Sequence, residues 1–245
     1  MTTTSGRALV KSYTFATFCS SNQSDSQPYF HLQLPEKNVV GYNLSQVTAV
    51  NTVYDIDSRN NQFAFVENPG VFPETTLVAI LEPGNYTLST FLTKLSTALT
   101  SVGSNTYTVT NNSLTNRLTI TSSSIDFKIV DISNDCYYES GFVASGIYST
   151  TALATSSFDF SGLKTIHIIC NNFNGTSIVL NQNYTILASI PVSVPYQGVL
   201  SYDAQPVFIT CQSDIYNFQF YLLDERFRPI TMDKSWSCQL LLQLL

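Results

Sequence analysis

The sequence predicts an all-β fold, an antiparallel β-sandwich or jelly roll with one short helix. Short segments in which apolar and polar residues alternate follow one another at even spacing, and turn-forming residues separate them. No β-α-β alternation is present, which argues against a parallel sheet. The length of 245 residues suits one large all-β domain, because sandwiches and barrels commonly reach about 200–250 residues as a single unit.

The chain begins with a polar segment. Residues 1–28 end at a proline and include a stretch rich in Ser, Asn and Gln, which is typical of a loop or arm. We therefore expect a flexible N-terminal arm over residues 1–28 and one jelly-roll domain over residues 29–245.

The first strands are predicted from alternation and turn chemistry. Residues 29–34 alternate, and the segment from Pro35 to Asn38 is expected to end that strand. Residues 47–56 and 62–67 are rich in β-branched and aromatic residues, with a polar turn between them, and predict a hairpin.

Further strands are predicted along the rest of the chain. A second hairpin is expected where two alternating segments flank residues 111–117, and residues 133–161 are expected to be irregular. The predicted strands lie at residues 75–81, 107–110, 118–121, 127–130, 165–170, 184–190, 207–210, 215–223 and 236–244.

One segment, residues 88–99, has the spacing of a helix. Its apolar residues recur every three and four positions and form one stripe, and Thr87 or Ser89 is a suitable N-cap. The preceding turn contains Pro83, which fixes φ, and Gly84, which is expected to supply a positive φ. The stripe consists of Leu88, Phe91, Leu92, Leu95, Ala98 and Leu99.

Charge is scarce, and neutral polar residues replace it. Charged residues make up 11% of the chain and the net charge is −6, whereas an average protein has about 25% charged residues. Binding to nucleic acid without sequence preference requires clustered Lys and Arg. Because no such cluster is present, we expect no direct contact with nucleic acid.

The cysteines and the N-terminus argue for a reducing compartment. The five cysteines are scattered, with no C-x-x-C pair, and only two histidines are available for a zinc site. No signal peptide is visible, and no apolar stretch is long enough to span a membrane. We expect Cys19, Cys136, Cys170, Cys211 and Cys238 to stay reduced, with no metal or cofactor bound.

The residues that could support catalysis are better explained as structural. His31 and His167 lie in predicted strands beside no motif, although a serine or cysteine partner could meet either of them in space. Three carboxylate pairs fall at strand ends, where aspartate usually forms turns. These pairs are Asp55 with Asp57, Asp131 with Asp135, and Asp224 with Glu225. No phosphate-binding glycine loop or calcium loop is present. We therefore expect no enzyme activity.

Three stretches, in a shared order, resemble the single jelly-roll penton and minor capsid proteins of the double jelly-roll virus lineage. That lineage includes adenovirus relatives, virophages, polinton-like viruses and large DNA viruses. The first stretch is N-T-V-Y-D-I at residues 51–56, followed by N-N-Q-F at residues 60–63. The second is P-G-N-Y-T at residues 83–87, with the helix after it. The third runs from residue 187 to the C-terminal strand, and in it Phe227 stands where the family usually has glycine and Asp233-Lys234 replaces the usual Asn-Gly.

The resemblance implies a structural virion protein with a single jelly roll. It implies a homopentamer at the fivefold vertices of an icosahedral shell, in contact with the major capsid protein, and assembly in the host cytoplasm or nucleus. It implies no catalytic, cofactor or metal residues. The residues expected to matter for the core and the turns are Tyr54, Pro83, Gly84, Tyr86, Asp224, Pro229 and Trp236.

Two other interpretations fit the same residues. A minor capsid or cement protein between capsomers differs from a penton in its oligomeric state. A carbohydrate-binding or adhesin β-sandwich would use exposed aromatic side chains and would require a secretion signal.

Overall fold

A computed structural model describes residues 12–19, 29–70, 72–170, 177–179, 182–203 and 209–244. Within them lie fourteen strands and two helices. The strands are β1 (Ser12–Cys19), β2 (Tyr29–Val50), β3 (Gln62–Glu67), β4 (Thr76–Ile80), β5 (Tyr107–Asn112), β6 (Arg117–Ser122), β7 (Phe127–Ile129), β8 (Thr151–Leu153), β9 (Thr165–Cys170), β10 (Ser177–Val179), β11 (Gln182–Pro191), β12 (Val199–Asp203), β13 (Ile209–Leu223) and β14 (Ser237–Leu244). The helices are α1 (Leu88–Val102) and α2 (Tyr137–Ser140).

All pairs between these strands are antiparallel, which confirms the predicted all-β, antiparallel class. The chain divides into two compact units, one of residues 1–53 and 163–245 and the other of residues 54–162. The sequence pattern does not show this division, because the strands of both units have the same alternation. No helix in the described ranges is long and apolar enough to cross a membrane.

The first unit is built on one eight-stranded sheet. Its strands lie in the order β1-β14-β2-β13-β9-β11-β10, and β12 also pairs with β2. One face of the sheet is apolar and contributes to a core that includes Tyr42, Leu44, Phe220, Leu240 and Leu242. The sheet joins the two ends of the chain, since β1 pairs with β14 along all of its eight residues.

Three expectations for this unit need correction. Residues 12–19, expected to belong to a flexible arm, form β1; the boundary at residue 28 stays a prediction. Pro35 does not end a strand, because β2 continues through it, and the register between β2 and β13 shifts near this point instead. The two strands predicted over residues 207–223 are one strand from residue 209, and residues 204–208 lie outside the described ranges.

The second unit contains α1 and two three-stranded sheets, ordered β4-β3-β7 and β5-β6-β8. The helix begins at Thr87, whose side chain and backbone exchange hydrogen bonds with Thr90, and it buries Phe91, Leu95 and Leu99. These side chains share a core with Phe63 of β3 and other residues of both sheets. The predicted helix, its cap at Thr87 and the β5–β6 hairpin are confirmed.

Two other expectations for the second unit are wrong. Residues 47–56 and 62–67 do not form a hairpin: residues 47–50 end β2 in the first unit, and β3 pairs with β4 and β7. The segment 133–161 is not wholly irregular, since it contains α2 and β8.

The C-terminal strand buries alternate side chains, as its pattern predicts. Trp236 is 3% exposed, and its ring meets the ring of Phe220 edge-on with centroids 6.0 Å apart. Cys238, Leu240 and Leu242 are buried behind it, while the residues between them are half-buried.

We expect Trp236→Ala to lower the free energy of unfolding by about 3–5 kcal/mol, because it removes a buried aromatic ring and leaves a cavity. Chemical denaturation followed by circular dichroism measures the change. Leu114→Ala, at a side chain that is 94% exposed, is the matched control and should stay within about 0.5 kcal/mol of the parent. A stable, soluble fragment ending at Lys234 would contradict this role of the strand.

Candidate functional site

The histidine that the sequence singles out lies in a sheet contact. His167 on β9 is directly opposite Ser189 on β11, and its Nδ1 lies 2.8 Å from the Ser189 Oγ. The imidazole of His167 also stacks on the ring of Phe227. The ring centroids are 4.7 Å apart and the interplanar angle is 13°. Burial lowers the pKa of His167, although Asp224 and Glu225 oppose this effect. The side chain of His31 lies outside the part of the structure that is described.

A serine hydrolase needs more than this pair. Its acidic residue holds one nitrogen of the imidazole while the other nitrogen takes the serine proton. Asp224 acts on His167 through its charge, but its carboxylate accepts hydrogen bonds from its own turn instead. The contact between His167 and Ser189 is therefore explained as a cross-strand pair.

Asp224 organises the turn after β13. Its Oδ1 accepts hydrogen bonds from the backbone N–H groups of Arg226 (2.9 Å) and Arg228 (2.8 Å), and its Oδ2 accepts one from the Arg228 Nε at 2.8 Å. The side chain is 1% exposed. Pro229, which is exposed, lies in a β-bridge with Leu223. A buried carboxylate held by donors of its own turn fixes the backbone and leaves little freedom for chemistry.

Phe227 occupies the position where the resembled family has glycine, and its backbone adopts the conformation that glycine favours. Its φ is 58°, a left-handed conformation that is uncommon for a bulky side chain. The stack on His167 offsets the cost of this conformation. The turn therefore keeps a glycine-like geometry with an aromatic residue in place.

The first two stretches of the resemblance meet through the backbone. Ile56 donates its N–H to the Gly84 oxygen at 3.1 Å, and Gly84 returns one to the Ile56 oxygen at 2.9 Å. The Asn85 Oδ1 accepts the N–H of Asp55 at 3.1 Å. Gly84 does not supply a positive φ, which corrects that expectation. A Cβ there would meet only the Tyr86 ring at an ordinary 3.8 Å.

The other expected turn residues have simpler surroundings. Tyr86 donates its hydroxyl to the Glu82 oxygen at 2.6 Å and packs its ring edge-on against Phe91, 5.9 Å between centroids. The pKa of Tyr86 is raised above its usual value, mainly because its hydroxyl is partly buried. Pro83 is exposed and Tyr54 is half-buried.

The first stretch also bonds to the third. Asn51 donates its N–H to the Gly198 oxygen at 2.9 Å, and its own oxygen accepts the N–H of Gln197 at 2.6 Å. The hydroxyl of Thr52 accepts the N–H of Asp233 at 2.9 Å. The residues that carry the resemblance are therefore ones whose polar groups connect distant parts of each unit.

In each of the other two predicted carboxylate pairs, one member accepts hydrogen bonds within its own turn. Arg59 binds both carboxylate oxygens of Asp57 at 2.7–3.0 Å. Asp135 accepts the N–H of Tyr137 at 3.1 Å, and Asp131 is exposed. Burial raises the pKa of Asp55, and a hydrogen bond from the Tyr86 backbone opposes this effect.

A surface cavity of about 360 Å³ in the second unit contains two carboxylates, and the sequence analysis did not predict that they lie close together. The Glu67 carboxylate accepts hydrogen bonds from Ser104, backbone at 3.0–3.1 Å and hydroxyl at 2.5 Å, and from the Tyr107 hydroxyl at 2.6 Å. Glu74 pairs with Lys128 at 2.7 Å. Both acids already have donors, so the cavity does not offer an acid–base pair. It is lined by Glu67, Asn68, Pro73, Glu74, Thr75, Leu77, Val102, Gly103 and Ser104.

A sheet face whose own side chains carry no charge lies at the β1 edge of the first unit, with Asp203 of β12 beside it opposite Gln46, and we name it the outer face. It comprises the side chains of β1, β14 and β2 that point away from the core. Gln239 donates to the Thr17 hydroxyl at 3.4 Å, and Gln243 donates to the Tyr13 hydroxyl at 3.2 Å. Its members are Tyr13, Phe15, Thr17, Cys19, Gln46, Thr48, Ser237, Gln239, Leu241 and Gln243.

Phe15 and Tyr13 are the largest exposed groups on the outer face. Phe15 is 60% exposed and Tyr13 is 55% exposed. Phe15 lies opposite Leu241 in the register of β1 with β14. An exposed apolar cluster with a rim of amides and hydroxyls is typical of a protein contact surface.

The comparisons with solved structures include a viral capsid protein. The crystal structure of a mavirus penton protein is similar to this chain with a TM-score of 0.45 and 9% sequence identity, covering 94% of this chain and 99% of the other. This similarity is too low to assign a family. No protein-family model and no curated protein matches the chain.

We expect Asp224→Ala to lower the free energy of unfolding by about 2–3 kcal/mol, because two backbone N–H groups and the Arg228 side chain lose a charged acceptor. Asp224→Asn keeps one acceptor oxygen and should cost less. Thermal and chemical denaturation measure both variants. Asp131→Ala, at an exposed carboxylate, is the control, and an equal loss in that variant would contradict the role of the turn.

A second prediction concerns acid stability through Glu67. Burial alone would raise the pKa of Glu67, but hydrogen bonds from Ser104 and Tyr107 outweigh it and hold the pKa below its usual range. A lowered pKa in the folded state stabilises the fold above the unfolded pKa, about 4.3, and this stability is lost as pH falls through the folded value.

The unfolding free energy of the parent should therefore fall more steeply below about pH 4.5 than that of Glu67→Gln, which cannot ionise. Denaturation curves between neutral and acid pH measure the two slopes. Leu114→Ala, which removes no ionisable group, is the control and should keep the slope of the parent. Equal slopes for the parent and Glu67→Gln would contradict the prediction.

Proposed function

We propose that this chain is a structural shell protein that forms the fivefold vertex capsomer, or penton, of an icosahedral virus particle. The observation that carries the proposal is the bonding of the three resemblance stretches. Asn51, Thr52 and Asn85 each hold a distant segment through polar groups. The stretches on which the resemblance to penton proteins rests are therefore structural links within each unit.

The hydrogen bonds that the carboxylates accept support a structural role. The carboxylates of Asp57, Glu67, Glu74 and Asp224 accept hydrogen bonds from arginine, lysine, serine, tyrosine or backbone donors. Catalytic acids and bases instead need a group with a tuned pKa that reaches a substrate. Each of these groups is explained by the stability of a turn or of a link between elements.

The surface composition supports assembly. A neutral polar surface costs less to desolvate than a charged one, and 11% charged residues leave much of the surface neutral. A ring of identical copies places one patch of each subunit against a different patch of the next. We propose that the chain contacts copies of itself and the major capsid protein, within the virion capsid, and that it binds neither nucleic acid nor a cofactor.

We expect the purified chain to exchange between monomer and pentamer as its concentration rises. Free pentamers should be only moderately stable, because neighbouring capsomers complete the contacts in a shell. Size exclusion with light scattering measures the mass, and electron microscopy of particles that contain the chain locates it. A strict monomer lying away from the fivefold axes would support the minor capsid interpretation, and a trimer would contradict the vertex position.

A further inference from the structure

We propose that the outer face is the surface by which one copy of this chain contacts the next copy. This inference rests on the proposed function, since it names the contact surface of the same assembly. It commits to a second copy as the occupant of the face.

Charge favours a second copy at this face. Each copy has a net charge of −6, so two copies repel each other unless they meet where charge is absent. The segments Ser12–Cys19 and Ser237–Leu244 contain no Asp, Glu, Lys or Arg, and neither do residues 39–50 of β2. Like charges placed together at an interface cost several kcal/mol. The three strand segments therefore present a neutral surface, with Asp203 only at its edge opposite Gln46, against which a different patch of the next acidic copy can pack.

The polar groups of the outer face suit a protein partner. Gln239 and Gln243 carry amides, and Thr17, Thr48 and Ser237 carry hydroxyls; these groups both donate and accept hydrogen bonds. They can meet another neutral protein surface without leaving an ion unpaired. A nucleic acid would need Lys or Arg at this face, and these three strand segments contain neither.

Two exposed aromatic side chains lie where the contact should be strongest. Phe15 is 60% exposed and lies opposite Leu241. Tyr13, two residues before it on β1, is 55% exposed and lies opposite Gln243. Aromatic side chains at the centre of a patch, with a polar rim that excludes water, carry most of the binding energy in protein interfaces. Phe15, opposite Leu241, is the central group here.

The size of the face predicts a weak contact. Eight residues extend about 26 Å along a strand, and three strands span about 14 Å, which gives about 400 Å². A stable pair of proteins buries about 800 Å² on each partner. The outer face therefore supplies only part of a stable interface, and copies should join it reversibly.

The test compares two charge insertions at exposed apolar positions. Phe15→Glu places a carboxylate at the centre of the outer face, and we expect it to weaken self-association by about 100-fold or more, because a charge must be desolvated without a partner. Leu114→Glu, at a side chain that is 94% exposed in the other unit, is the matched control and should assemble as the parent does. Light scattering over a range of concentrations measures association, and denaturation curves verify that both variants fold.

A second measurement on the parent needs no substitution. Cys19 is exposed on the outer face, whereas Cys136 and Cys238 are buried, and burial raises the pKa of both buried thiols. We expect alkylation of Cys19 to slow by about tenfold when nine of ten copies are assembled, because only the uncovered copy reacts. Peptide mass spectrometry follows each cysteine, and Cys136 and Cys238 should stay unreactive at all concentrations.

The outcomes separate the two proposals. If the parent self-associates while Phe15→Glu associates equally well and Cys19 stays reactive, the outer face is not the contact and the proposed function stands. If the parent remains a monomer at all concentrations and is absent from fivefold vertices, the proposed function fails and this inference fails with it. Loss of association in Phe15→Glu alone, with Cys19 protected in the parent assembly, supports the inference.

Discussion

The pairing of the two ends of the chain on β2 is the constraint on which the first unit depends. β14 lies between β1 and β2, so one strand from the start of the chain and one from its end complete the same sheet. The inner side chains of these strands, Phe18 and Leu242 among them, are buried in one core. Since such distant strands pair only after a long loop closes, this pairing costs more loop-closure entropy than a hairpin does.

The second unit is built from one continuous segment, residues 54–162. Some of its strands pair with near neighbours along the chain, such as β5 with β6, whereas β3 pairs with the more distant β7. Glu67 connects the end of β3 to the segment after α1 through Ser104 and Tyr107. Gly103 is needed at that point, since a Cβ there would approach the Glu67 carboxylate to 2.7 Å. One carboxylate thus fixes the exit of the helix.

How far the sequence predicts this fold depends on the range over which each signal acts. Local signals succeeded: the cap at Thr87, the apolar stripe of α1 and the alternation of β14 were all readable, because each depends on neighbours within a few residues. Pairing partners were not readable in the same way. Residues 47–50 and 62–67 look like hairpin strands by composition, yet they belong to different units.

The candidate site shows the same limit at single residues. Gly84 was expected to adopt a positive φ in a turn. Instead, its backbone forms a β-bridge with Ile56. Phe227 was recognised only as a departure from the family pattern, and its left-handed φ occurs together with a ring stack on His167, which lies 60 positions earlier. The pair Glu67 and Glu74 was missed, because a shared cavity depends on tertiary placement that spacing does not reveal.

The low content of charged residues accounts for both the polar links within the units and the neutral outer face. The few carboxylates hold turns, as Asp224 does, or link elements, as Glu67 does. Backbone amides and polar side chains of Asn51, Thr52 and Asn85 connect further segments. The surface that remains on β1 and β14 is then neutral by composition, with Phe15 and Tyr13 exposed on it. A shell subunit needs contacts that are weak singly and strong when many copies meet, so that misplaced copies can leave before the shell closes. A face of about 400 Å², less than a stable dimer needs, meets that requirement.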